Sequence, residues 1–258
     1  MQRGFSLIEL VVALVISGII GAGLMLWMAR PIQALQDSHR QAAAIDQAER
    51  ISARLAAELP EALPNSVRIA CGGRCLEFLP VTAYGDYRSE TPGDFLDFSA
   101  TDDRFDVLMP LTSVPQSGMQ IVINNQNTLP SGIASAYSAD ANNNRAGVIA
   151  GSTSQQVRMA PKQFPVQSPS QKFYIVDTPV SWLCQPAAAG GTMRRYAGYS
   201  IQASQPANVA LGDVLAGGVT ECQFDLALPN LVTLRLATGG SGAESVTVLS
   251  QVSLRHAP

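Results

Sequence analysis

Between Phe5 and Ala29 the chain reads FSLIELVVALVISGIIGAGLMLWMA, with Glu9 the single ionisable side chain in the stretch. About 20 apolar residues cross the hydrocarbon core of a bilayer as a helix, so the segment is expected to span a membrane. A secretory signal carries an apolar run of about 7–15 residues ending at a small-x-small cleavage site. Here Gly21-Ala22-Gly23 lies inside the run, with more apolar sequence beyond it. The segment is therefore expected to stay on the protein as an anchor.

Glu9 is the anomaly in this segment. A carboxylate in an apolar helix costs about 2.5–3.5 kcal/mol at the membrane centre and less near an end. Either Glu9 sits close enough to the headgroups to reach water, or it has a cationic partner. That partner would be its own amino terminus or the amino terminus of a neighbouring subunit.

The helical pattern continues past the membrane segment. Ile32, Leu35, Ala42, Ile45, Ala48, Ile51, Leu55 and Leu59 fall mostly three, four or seven apart, the spacing of a one-faced helix. No glycine or proline occurs between Ile32 and Leu59, and Pro60 and Pro64 follow. One helix is thus expected from Phe5 to Leu59, about 80 Å long at 1.5 Å per residue. Pro31 is expected to kink it, since proline removes a backbone donor. Gly18, Gly21 and Gly23 weaken the turns before that point.

From about Leu63 short segments rich in Val, Ile, Phe, Tyr and Thr alternate with Gly, Pro, Asn and Ser clusters, which predicts β structure. The clearest candidates are Ser66–Ala70, Leu76–Thr82, Phe105–Met109, Met119–Asn124, Phe173–Asp177, Arg195–Ala203, Val219–Ala227, Leu231–Ala237 and Ser245–Arg255. Pro229-Asn230 and Gly239-Gly240-Ser241-Gly242 mark turns between the last three, giving an antiparallel meander expected to pack on the second half of the long helix. The middle, about 124–170, is rich in Asn, Ser, Ala, Gln and Pro and reads as a loop-rich surface insertion. The fold class is α+β.

Four cysteines, Cys71, Cys75, Cys184 and Cys222, allow three pairings. The Cys71-x3-Cys75 spacing has no matching second pair for a zinc site. An anchor that leaves the bulk of the chain outside the cytoplasm favours disulfides. Cys71-Gly-Gly-Arg-Cys75 sits between two strand segments, so a Cys71–Cys75 bridge would clip a hairpin. Cys184 ends one strand segment and Cys222 lies within another, so Cys184–Cys222 would staple two strands, worth roughly 3–4 kcal/mol in the loop-entropy model. Crossed pairings need longer-range coincidences.

Other chemistry is poorly supplied. The net charge of −3 and the lack of any Lys/Arg cluster beyond Arg194-Arg195 argue against a nucleic-acid partner. His39 and His256 are the only histidines, too few for a His-based triad or metal centre, and no enzyme activity or cofactor is expected. Asp140-x-Asn142-x-Asn144 begins like a calcium loop, but Arg145 replaces the turn glycine and Gly151 the closing Glu. Asp102-Asp103 with Asp106 is likewise read as a polar loop, and no metal is expected.

The residues Arg3-Gly4-Phe5-Ser6-Leu7-Ile8-Glu9-Leu10-Val11 resemble the prepilin cleavage and methylation motif of type IV pilins and type II secretion pseudopilins. The resemblance implies a leader at 1–4, cleavage between Gly4 and Phe5 by a prepilin peptidase, and N-methylation of Phe5. It also implies that Glu9 pairs with the amino terminus of an adjacent subunit. Residues 5–30 and 31–59 would be the membrane and periplasmic halves of the pilin helix, and 60–258 a periplasmic head.

Leu63-Pro64-Asn65-Ser66-Val67-Arg68-Ile69, Cys75–Pro80, Asp86-Tyr87-Arg88, Phe105–Leu108, Asn143–Ala146 and Val252–Pro258 extend the likeness. They are similar to the MshO family of minor pilins of mannose-sensitive haemagglutinin (MSHA)-type pili, and more distantly to PilW and J-type pseudopilins. His256 stands where that pattern often has Asn. The implied function is a minor prepilin, held in the inner membrane until processing, that primes or assembles an MSHA-like pilus. Its implied partners are other minor and major pilins, the prepilin peptidase and the pilus assembly platform. The rival readings are a J-type pseudopilin of a type II secretion system and a pilus-tip adhesin or ligand-binding module.

Overall fold

The computed structural model describes residues 7–208, 212–228, 230–239 and 245–254. Helix α1 (Leu7–Glu58) is 52 residues long and stays helical through Pro31, about 78 Å of helix. It ends where Pro60 has no N–H to donate. A tight turn over Leu59–Glu61 replaces it, closed by the Ala62 N–H on the Leu59 carbonyl at 3.0 Å.

Among the described residues thirteen strands follow: β1 (Arg68–Ala70), β2 (Cys75–Phe78), β3 (Val81–Asp86), β4 (Asp102–Asp106), β5 (Gln120–Ile123), β6 (Arg145–Gly147), β7 (Gln156–Lys162), β8 (Lys172–Val176), β9 (Val180–Gln185), β10 (Gly191–Ala197), β11 (Asp213–Leu228), β12 (Leu231–Thr238) and β13 (Val246–Ser253). Seven form one curled sheet in the order β1-β2-β9-β10-β11-β12-β13, antiparallel at every step. The mixed α+β class expected from the sequence is the one observed.

The C-terminal half of α1 lies on the inner face of this sheet. Ala48, Ile51, Leu55 and Leu59 are buried against Leu76, Phe78, Trp182, Met193, Phe224, Val232, Leu234 and Leu236. Period-two alternation in Leu231–Thr238 places Val232, Leu234 and Leu236 on that face, as the pattern predicts. The stripe on α1 nevertheless begins earlier than the head covers it: Leu35 is 62% exposed and Ile45 39%. Contact with the sheet starts where the Thr238 hydroxyl donates to the Ala44 carbonyl (3.3 Å) and the Gln47 amide to the Gly217 carbonyl (3.2 Å).

The rest of the head forms a second layer. A four-stranded sheet (β3-β8-β5-β6) and the β4-β7 pair enclose a separate core of Tyr87, Phe105, Ile121, Ile123, Met159, Phe164 and Phe173. Phe105 meets Phe173 edge-to-face with centroids 5.0 Å apart. The run Leu76–Thr82, which reads as one strand, is split between the two sheets at Leu79-Pro80. Pro80 cannot donate to a ladder. The Leu79 carbonyl instead accepts from the Leu63 N–H at 2.7 Å, and its N–H donates to the Ser66 hydroxyl at 3.3 Å.

Segment 124–170, read from composition as a loop-rich surface insertion, carries β6 and β7 and buries Ala136, Tyr137, Val157, Met159 and Phe164. Side-chain hydrogen bonds hold its polar stretch in place: the Asn125 carbonyl oxygen accepts from the Ala136 N–H at 2.8 Å, and the Tyr137 hydroxyl donates to the Ser66 carbonyl at 2.9 Å. Its asparagines and serines thus serve as internal partners for turns. Strand β9, the strand segment that Cys184 ends, shows no alternation, because all of Val180–Cys184 is buried and no polar face interrupts it.

Candidate assembly site

Among the described residues nothing covers Leu7–Met25 of α1. Leu7–Met25 is long and apolar enough to cross a membrane, and none of it is buried in the protein. Leu7, Ile8, Leu14, Ile19, Leu24 and Trp27 are all more than half exposed. Such a surface is stable only against lipid or other apolar helices. Gly18, Gly21 and Gly23 have open space around them, so a neighbouring helix can approach the backbone closely there.

Glu9 lies in the first described turn of α1, with its side chain exposed among these apolar residues. Among the described residues it has no salt-bridge partner. Gly4 and Phe5, the expected cleavage and methylation positions, lie outside the described residues, as does His256. His39 is exposed on α1, far along the chain from Glu9.

At the other end of the helix, Glu58 seats α1 on the sheet. Its carboxylate accepts from Arg195 Nε (2.9 Å) on β10, from Trp182 Nε1 (3.2 Å) on β9 and from Arg54 Nε (2.9 Å) one turn back. The head is thereby held to the rod by one half-buried carboxylate as well as by the apolar face.

A second ionic group lies behind β1 and β2. Arg68 and Glu77 stand directly opposite in the β1–β2 register, and the guanidinium reaches the carboxylate at 2.7 Å. The Glu77 side chain is 0% exposed and that of Arg68 10%. Arg68 also donates to the carbonyls of Ala203 (2.7 Å) and Gln202 (3.0 Å), and its guanidinium lies 3.7 Å from the centroid of the Tyr137 ring. One side chain therefore ties together β1, β2, the 198–208 segment and the 124–170 segment. Burial pushes the Glu77 carboxyl above its ordinary range, against the opposing pull of the Arg68 charge.

The four cysteines form the two expected bridges. Cys71–Cys75 closes the β1–β2 turn, with Cα atoms 5.5 Å apart, and Cys184–Cys222 joins β9 to β11, with Cα atoms 6.4 Å apart. Strand β10 lies between β9 and β11 in the sheet. Loop-closure entropy assigns about 4 kcal/mol to the bridge that closes the longer loop and about 2 to the short one. Replacing Cys184 and Cys222 together by alanine is expected to lower the unfolding free energy of the head by about 4 kcal/mol, and replacing the short pair by about half as much. Denaturant titration followed by the fluorescence of Trp182, buried in the same core, checks the difference.

The candidate polar loops place their oxygens elsewhere. The Asp140 carboxylate accepts from the Gly132 N–H at 2.6 Å, while Asn144 is buried and donates to the Asn124 carbonyl at 3.3 Å. Asp102 accepts from the Asp97 N–H at 3.0 Å, and Asp106 from the Asp94 N–H at 3.0 Å. Among the described residues no group of three or more His, Cys, Asp or Glu side chains is placed to hold a metal ion.

Sequence reading singled out Glu9 and the cysteines but not Glu58, Arg68 or Glu77. A signal for the last two was present: a hairpin closed by Cys71–Cys75 puts Ala70 opposite Cys75, Ile69 opposite Leu76 and Arg68 opposite Glu77. Glu58 carried no signal for its seat on the sheet, because Trp182 and Arg195 come from strands more than a hundred residues away.

Comparison with curated proteins and with solved structures gives no match for the chain. Residues 1–25 match the prokaryotic N-terminal methylation motif. That match takes in Gly4, Phe5, Glu9 and the whole membrane-length segment Leu7–Met25. By this motif, and by the apolar helix that bears it ahead of an antiparallel β head, the chain is type IV pilin-like.

Proposed function

We propose that the chain is a minor prepilin that primes or assembles a type IV pilus of the MSHA type, in the manner of the MshO family. The observation that carries this reading is the register of Gly4, Phe5 and Glu9 at the head of an apolar helix that the protein leaves uncovered. Cleavage after Gly4 by a prepilin peptidase creates a cationic amine on Phe5, which is then methylated. Glu9 is the single ionisable side chain in the apolar run, and a neighbouring subunit's Glu9 supplies the counter-charge to that amine. Before processing the helix anchors the chain in the inner membrane with its head in the periplasm, an oxidising compartment suited to two disulfides. After processing the same apolar surface packs among other pilin helices at the assembly platform.

Intact mass analysis of the N-terminal peptide from membranes of expressing cells tests the reading. A peptide beginning at N-methylated Phe5 is expected. A peptide still carrying Met-Gln-Arg-Gly in cells with an active prepilin peptidase overturns it. A J-type pseudopilin would be processed in the same way, and filament fractionation separates the two: the chain is expected in surface pili, not in a secretion pseudopilus.

A further inference from the structure

Strand β13 is the last strand of the seven-stranded sheet, and among the described residues no strand pairs with its outer edge. The Leu254 N–H donates to the carbonyl of Asn230, its partner in register, at 2.8 Å. This fixes the phase of the antiparallel ladder. Val246, Val248, Ser250 and Val252 turn their N–H and C=O groups toward β12, and Thr247, Leu249, Gln251 and Ser253 turn theirs away from it. Among the described residues no hydrogen bond reaches these outward groups.

The other edges are guarded in ways that oppose strand addition. Strands β1 and β6 have three residues each, β4 reads Asp-Asp-Arg-Phe-Asp, and β7 contains Arg158, Pro161 and Lys162. Strand β3 is interrupted by a register shift and ends in Asp86. Strand β13 has none of these devices. It pairs with β12 through eight consecutive positions without a shift, and its sequence, Val-Thr-Val-Leu-Ser-Gln-Val-Ser, carries no charge and no proline. Leu249 stands 63% exposed on its outer face.

A second copy does not fit this edge. Two β13 strands paired antiparallel are related by a two-fold axis normal to the sheet. The sheet lies face-on against α1, so that axis stands at right angles to α1 and sends the two apolar helices in opposite directions, which one membrane cannot accommodate. Head-to-tail joining would place β13 beside β1. Six antiparallel steps make those strands parallel, and β1 has only three residues to pair.

We propose that the edge of β13 docks an extended, uncharged segment of a different polypeptide, which adds to the sheet as an eighth strand. Backbone groups of Thr247, Leu249, Gln251 and Ser253 supply the hydrogen bonds, and an apolar residue of the incoming segment faces Leu249. The exclusion of a second copy rests on the membrane-anchored reading of α1.

The test uses the full chain in cells that assemble its filament, with a photoreactive benzophenone side chain carried at position 247. Irradiation is expected to give an adduct with a different chain. Leu249→Pro is expected to reduce that adduct about tenfold or more, because it removes an outward N–H and obstructs an added strand without breaking a bond to β12. Leu249→Lys, which keeps every backbone group of the fold, is expected to reduce it as well through edge charge, and Leu249→Ala to leave it in place. Absence of an adduct, an adduct between two copies of this chain, or an adduct insensitive to both Leu249→Pro and Leu249→Lys overturns the proposal. The N-terminal peptide is scored in the same cells, so a failed prepilin reading appears as a retained leader, separately from the result at the edge.

Discussion

Replacement of Gly4 by leucine is expected to leave the chain as an uncleaved precursor retained in the membrane, with incorporation into filaments lost. The resemblance to prepilins locates cleavage after a glycine. The physical consequence of blocking it is electrostatic. Without cleavage there is no free amine on Phe5, and Glu9 of a neighbouring subunit would enter an apolar helix bundle as an unpaired carboxylate. Removing one partner of a buried ion pair typically costs about 3–5 kcal/mol, enough to suppress incorporation by a hundredfold or more at about 1.4 kcal/mol per tenfold. Glu9→Ala separates the two steps. It is expected to leave cleavage and methylation intact while reducing incorporation, because the cationic amine then lacks its carboxylate. Normal processing of Gly4→Leu would remove the prepilin reading, and wild-type incorporation of Glu9→Ala would remove the pairing role while leaving the anchor.

Arg68→Ala is expected to destabilise the head by about 3–5 kcal/mol. The substitution strands Glu77, which is fully buried, and removes the cation stacked on Tyr137 together with the donors to Ala203 and Gln202. The loss depends on pH with a definite sign. Burial already holds the Glu77 carboxyl above its ordinary range, and Arg68 is what opposes that shift. Without Arg68 the folded-state pKa rises further, so the variant's stability is retained below the ordinary carboxylate pKa and falls as pH rises through the raised one. Arg68→Ala should therefore approach wild type in acid and diverge from it toward neutral pH. Denaturant melts of the two proteins across that interval, read by Trp182 fluorescence, measure the divergence. A constant difference at all pH values would show that packing on Tyr137, and not the stranded carboxylate, sets the cost.

How far the sequence carries the fold is clearest where the two cores are compared. In β12 the alternation of Val232, Leu234 and Leu236 with polar residues can be read directly, because one face of that strand meets α1 and the other meets solvent. In β9 both faces are covered, so Val180–Cys184 has no alternation to read. In 124–170 the short strand β7 alternates, with Val157 and Met159 buried; Ala136 and Tyr137 lie in turns, and contact with Ser66, Val122 and Val176 makes Tyr137 an interior position.

The functional end of the molecule and its head differ in the same way. Membrane length, the lone carboxylate at Glu9, the motif around Gly4 and Phe5, the continuation of α1 to a proline stop, and the two cysteine pairs are all local or nearly local patterns. They depend on hydropathy, helix periodicity and loop length, which act over tens of residues of contiguous chain, and so the sequence by itself determined them. The seating of Glu58 on Trp182 and Arg195, the split of Leu76–Thr82 between two sheets, the burial of the Arg68–Glu77 pair and the open edge of β13 belong to the tertiary structure alone. Each depends on which distant strand arrives beside a given residue, and that choice is made by packing two sheets and a helix around shared cores, not by any preference the residue carries in its own neighbourhood.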